Sequence, residues 1–165
     1  MEVRVWRYLL ALILLGSSVV MPVQCRADGN MIELSIDDKV IQAELAQTRQ
    51  ERTKGLMHRE SLCENCGMLF VFPTADKWSF WSKNTPLALS VAFVDGSGRI
   101  VQIVDMEPNS IETHQAAYQA VYALEMARGW FARNSIKAGS NIEGLLRINR
   151  KMDRPLTVSS RKDAT

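Results

Sequence analysis

Three sets of side chains in this chain have types and spacings that could do chemistry. In the first, Ser79 to Thr85 reads Ser-Phe-Trp-Ser-Lys-Asn-Thr, setting Lys83 and Asn84 against aromatic residues. Further along, Glu125 interrupts the apolar run from Val121 to Met126. A carboxylate among residues of that kind is drawn toward an interior, and a buried carboxylate needs a partner. Lys83, Arg59 and Arg52 are the candidate cations, and Lys83 is the favoured one. Lys83, Asn84, Arg59 and Glu125 would then line a polar pocket, with Trp81 as an apolar wall against which a sugar or peptide could stack. The plainer alternative is that a Lys83 to Glu125 pair simply locks the fold. On a strand, Trp81, Lys83 and Thr85 share one face and Phe80, Ser82 and Asn84 the other. Lys83 and Asn84 therefore both point inward only if the strand bulges or ends there.

The second set is Cys63-Glu64-Asn65-Cys66. In an oxidising compartment two nearby thiols become a disulfide, and a loop this short restrains the unfolded chain by about 2 kcal/mol. A redox-active pair is the competing reading. It normally places its first Cys at a helix N-terminus, where the dipole lowers the thiol pKa, whereas this pair precedes a strand and Glu64 would raise that pKa. The third set combines those cysteines with His58 and His114, giving the four ligands a closed zinc site needs, but at a spacing that follows no recurrent zinc pattern. Ser82 and Ser90 lack a His or Asp at a spacing that would activate them, which leaves a hydrolase only Lys83 and Glu125. No glycine-rich phosphate loop is present. Neither a metal nor a cofactor is expected.

These side chains must be held by mostly extended chain. Alternation over Met31 to Ile36 and Val40 to Leu45, broken by Asp37-Asp38-Lys39, predicts a hairpin. Thr48 and Glu51 form a capping-box pair opening a short helix that stops near Gly55. An apolar strand from Met68 to Phe72 should end at Pro73, and a second strand should run from Ser79 to Pro86. Leu89 to Val94 and Ile100 to Val104 flank a glycine-rich connection, and residues 107 to 119 read as a site-forming loop. Strands at Ala120 to Met126 and Ile142 to Ile148 follow, separated by a helical turn after Gly129. Many short strands and few helices predict a mainly β (α+β) fold: a small twisted antiparallel sheet curled into a β-barrel-like domain with one or two short helices.

The first 27 residues carry Arg4 and Arg7 ahead of an apolar run, as a secretory signal does. Small residues before Asp28 place the cut there. The run is broken by Gly16, Ser17 and Ser18, short of the roughly 20 apolar residues of a permanent membrane helix, so an uncleaved anchor is the alternative. Removing residues 1 to 27 takes three bases and one acid from the chain's 20 and 18, leaving 17 of each. The positive charge then gathers in a flexible basic tail, 151 to 165. Its bases are not interleaved with aromatics, so no nucleic-acid partner is expected.

With Arg52 to Met57, Gly67 to Phe72, Phe80 to Thr85, Leu124-Glu125, Gly129 and Gly139 in this order, the chain resembles the bacterial and archaeal domain-of-unknown-function family 192 over roughly residues 40 to 148. The resemblance implies a small β-barrel-like domain, commonly exported, with no established activity. Two positions depart from the family pattern. Ser82 stands where Trp-Met-Lys-Asn-Thr has Met, and Ser90 stands where Asp usually follows the Pro-Leu pair; if that Asp charges a family site, this chain lacks it. The expectation is a signal peptide over 1–27, one domain over 28–150, and a periplasmic or secreted module that binds a small molecule or an envelope protein. It would touch the membrane only transiently, through its signal. An enzyme is the alternative, either a thiol-disulfide oxidoreductase using Cys63 and Cys66 or a hydrolase using Lys83 and Glu125.

Overall fold

The computed structural model describes residues 31–146 and 148. The expected signal peptide (1–27) and basic tail (151–165) lie outside the described residues. β1 (Met31–Ile36) and β2 (Lys39–Ala46) form the expected hairpin, in register from Met31 opposite Glu44 to Ile36 opposite Lys39. Their burial alternates, because only one face meets the core. Thr48 then caps α1 (Arg49–Lys54): its side chain accepts from the Glu51 N–H while the Glu51 carboxylate accepts from the N–H groups of Gln47 and Thr48 at 2.8 Å each. Gly55 closes the helix at φ 47°.

β3 (Cys66–Asp76) runs beyond the expected stop at Pro73. Its pairing with β8 (Ala120–Ala127) is regular from Gly67 to Val71 and resumes only at Asp76. Pro73, which has no N–H to give a ladder, falls inside that irregularity. β2 and β3 are parallel, with Gln42 opposite Cys66 and Ala46 opposite Phe70, so the sheet is not antiparallel throughout. The connection from 47 to 65, carrying α1, is long enough to return the chain to the same end of the sheet before β3 begins.

The expected strand at 79–85 shrinks to β4 (Ser79–Phe80), which pairs with β7 (His114–Gln115) in a separate two-stranded sheet. β5 (Leu89–Val94) and β6 (Ile100–Met106) form the second hairpin. After α2 (Trp130–Arg133), the expected long last strand is only β9 (Ile142–Glu143). The main sheet orders β6-β5-β8-β3-β2-β1-β9 and curls into a half-barrel. Its two edges meet at one end. Arg99 bridges Asn141, the Ile142 N–H donates to the Gly98 carbonyl at 2.8 Å, and β9 pairs with β1.

β5 is buried along its whole length, as are most of β8 and the first half of β3, because both faces of these central strands are covered. Inside the curl, Leu69, Ala92, Leu124 and Met126 pack with Trp130 and Phe131 of α2. On the outer face, Met68, Phe70, Val91, Phe93 and Ala123 pack under Leu56 and Phe80. This second layer is built from connecting chain rather than strands, and the candidate site opens in it.

Candidate functional site

Glu125 lies on β8, an inner strand of the sheet, directly between Met68 of β3 and Val91 of β5. Residues opposite one another in adjacent strands share a face, which fixes the carboxyl on the outer layer. Glu125 is 4% exposed. Among the described residues it forms no ion pair, and no side-chain hydrogen bond to it is found. Burial alone pushes its carboxyl from the ordinary 4.5 up to about 8. At neutral pH the group is therefore mostly a neutral acid, able to donate one hydrogen bond and accept others.

The carboxyl faces a cavity of about 430 Å³. Phe70 and Phe72, two residues apart on one face of β3, stand beside it, and Trp78, Phe80 and Trp81 form the facing wall. Phe72 stacks on Trp78 with ring centroids 4.2 Å apart, and Phe80 packs edge-on to Phe70 at 4.9 Å. Leu56 and Met57 add apolar surface, and Arg49, Arg52 and Lys54 of α1 edge the opening. Arg52 is built into the frame. Its guanidinium donates to the carbonyls of Gln47 and of Val71, the latter at 3.0 Å, and sits 5.6 Å from the centre of the Phe72 ring. Arg49 and Lys54 are exposed.

The residues expected to form a site are partly dispersed. Trp81 and Glu125 do line the same cavity, but Lys83, Asn84 and Arg59 do not. Lys83 makes no ion pair with Glu125, because the chain leaves β4 after Phe80 and turns. The Thr85 N–H donates to the Ser82 carbonyl at 3.0 Å, and Asn84 takes φ 56°, a left-handed conformation that Asn tolerates better than most residues. Lys83 at the crest of that turn faces solvent. The turn is tied at three points: Ser82 Oγ donates to the Glu107 carbonyl, the His58 N–H to the Asn84 carbonyl, and the Asn109 N–H to the Thr85 carbonyl. Arg59 instead holds Glu44 of β2 with both terminal guanidinium nitrogens.

Cys63 and Cys66 are bonded to each other across the turn that enters β3, with Cα atoms 5.0 Å apart. Asn65 between them gives its carbonyl to the Gln42 N–H at 2.9 Å and its side-chain oxygen to the Trp130 Nε1–H at 3.0 Å. The turn thus sets the start of the β2 and β3 pairing and also anchors the inner core. No group of His, Cys, Asp and Glu suited to a metal ion is found among the described residues. At position 90, Ser90 Oγ donates to Asp105 at 2.5 Å and accepts from the Gly129 N–H at 3.1 Å. A carboxylate thus stands beside Ser90, supplied by the facing residue of β6.

A family model for DUF192, described as uncharacterized ACR, matches residues 32–144. The chain belongs to the DUF192 family. Two solved structures share the DUF192 fold seen here, each with a TM-score of 0.68. One is a candidate transcription regulator from Sinorhizobium meliloti 1021, 27% identical, the alignment covering 71% of this chain and 95% of that one. The other is a protein of unknown function from Novosphingobium aromaticivorans DSM 12444, 30% identical, covering 74% and 91%. No curated protein matches the chain.

Sequence reasoning missed most of the pocket of this DUF192 protein: Phe70, Phe72, Trp78, Phe80, Arg49 and Lys54. A usable signal existed in the aromatics at 70 and 72, which period-two spacing places on one face of a strand together with Met68, the residue opposite Glu125.

Proposed function

We propose that this DUF192 protein is an exported small-molecule binding module whose site is the cavity over Glu125. The observation that carries the reading is a buried carboxyl, without an ion-pair partner among the described residues, facing an aromatic-walled cavity. Small-molecule sites combine such apolar walls with a few convergent polar groups, and a cavity of about 430 Å³ is of the right size for one. A fold under selection for stability alone would do better with Leu or Met at position 125, since a lone buried acid costs free energy that packing does not return. Export is supported by the basic and apolar front of the sequence and by the paired cysteines.

Chemical-shift mapping tests the binding site. Isotope-labelled protein is titrated with a solvent extract of the envelope of the cells that make it. Binding in the cavity shifts the amides of residues 52–57, 70–72, 78–81 and 125 together. Shifts confined to the Lys83 turn, to the Cys63 to Cys66 turn, or to no residue at all would refute the assignment.

A further inference from the structure

The distribution of charge around the cavity restricts what it can hold. At the closed end the polar group is the Glu125 carboxyl, flanked across the strands by Met68 and Val91, which carry no charge. The walls contributed by residues 78 to 81 and by Thr85 add no ionisable group, and α1 contributes only the cations Arg49, Arg52 and Lys54. The one carboxylate of α1, Glu51, is turned away to cap its own helix. His58 lines an adjoining groove with Arg49 and Lys54 and adds no negative charge there. A ligand therefore meets positive potential at the mouth, planar apolar surface along the walls and a single oxygen acid at the far end.

We propose, resting on the binding reading above, that the cavity takes an amphipathic organic anion: an aromatic or alicyclic body with its carboxylate or other anionic group at Arg49 and Lys54 and a hydrogen-bond acceptor at the Glu125 end. The rival is an aromatic cage for an organic ammonium ion, in which an ionised Glu125 would face the cation. The basic rim opposes that rival, because an entering ammonium must pass Arg49, Arg52 and Lys54, and among the described residues that line the cavity the only acid is Glu125. The anion mode needs the Glu125 proton. Since burial holds that proton up to a pH of about 8, affinity for an acceptor-bearing anion should fall as pH rises beyond that point.

The test is calorimetric titration at low ionic strength with three probes: para-methoxyphenylpropionate, its amine counterpart O-methyltyramine, and phenylpropionate, which lacks the ether oxygen. The expected order is methoxyphenylpropionate first, phenylpropionate weaker, and O-methyltyramine weakest. Arg49→Ala with Lys54→Ala, both exposed residues outside the helix cap, should weaken the anions roughly three- to tenfold, as loss of two exposed charge contacts does. Glu125→Gln keeps an uncharged donor. It should abolish the loss of anion affinity at high pH. Preference for O-methyltyramine, with that preference lost in Glu125→Gln, would overturn the anion assignment and leave the pocket reading standing. Absence of binding heat with every probe at millimolar concentration, with folding confirmed by a cooperative melt, would overturn both.

Discussion

Glu125 carries the functional argument at the level of single residues, and its cost can be measured. Its folded pKa is raised, so the folded chain holds a proton that the unfolded chain releases above the ordinary value of 4.5. The stabilising effect of that proton is fully present below 4.5 and is lost as pH rises through about 8. Between those limits the folding constant should fall by up to about tenfold per pH unit. Denaturant melts across this range should show that slope for wild type and a flatter profile for Glu125→Gln, with the variant's advantage growing toward alkaline pH. Parallel profiles would mean that water or a counter-charge already satisfies the carboxyl. That Glu125 is drawn inward could be read from Val121 and Ala123, the apolar residues that share its face on an extended chain. Its lack of an ionic partner could not, because Lys83 is near in pattern only while residues 79–85 stay extended, and the turn with left-handed Asn84 ends that extension.

Among the elements, β3 and β8 hold the site together, and their close approach centres on Gly67. A Cβ there would overlap the Glu125 carbonyl oxygen and the Met126 sulfur. Backbone cannot yield as a flexible side chain can, so Gly67→Ala should cost about 1 to 3 kcal/mol by overpacking and should displace Glu125. The measurement is a urea midpoint together with probe affinity; wild-type values for both would show that the strands can part cheaply. The same elements show which features sequence patterning reveals. Local rules reached the β1 and β2 hairpin, the Thr48 to Glu51 cap, the β5 and β6 hairpin and β8, since each depends on neighbours in sequence. The parallel pairing of β2 with β3, the irregularity that absorbs Pro73, and the shortening of β4 and β9 depend on contacts between distant segments. The wall formed by Trp78, Phe80 and Trp81 was hidden for the same reason: connecting chain, not a strand, covers the outer face of the sheet.

For the whole molecule, a curled sheet joined at one end by Arg99 and Asn141 is covered inside by α2 and outside by α1 and the loops. The Cys63 to Cys66 bond sits at the entry to the parallel pair. Replacing both with Ser should lower stability by about 2 kcal/mol, the loop-entropy value for so short a ring, while leaving probe affinity unchanged. A loss of binding at unchanged stability would instead assign these cysteines a functional role. The most direct test of the central claim is a native mass spectrum of the protein purified from the cells that make it, recorded beside a Trp78→Ala, Trp81→Ala double variant. The expected wild-type spectrum contains an added mass that disappears on denaturation and is missing from the variant. A wild-type spectrum showing only the bare polypeptide, or an added mass that the variant retains, would contradict a ligand held in the cavity over Glu125.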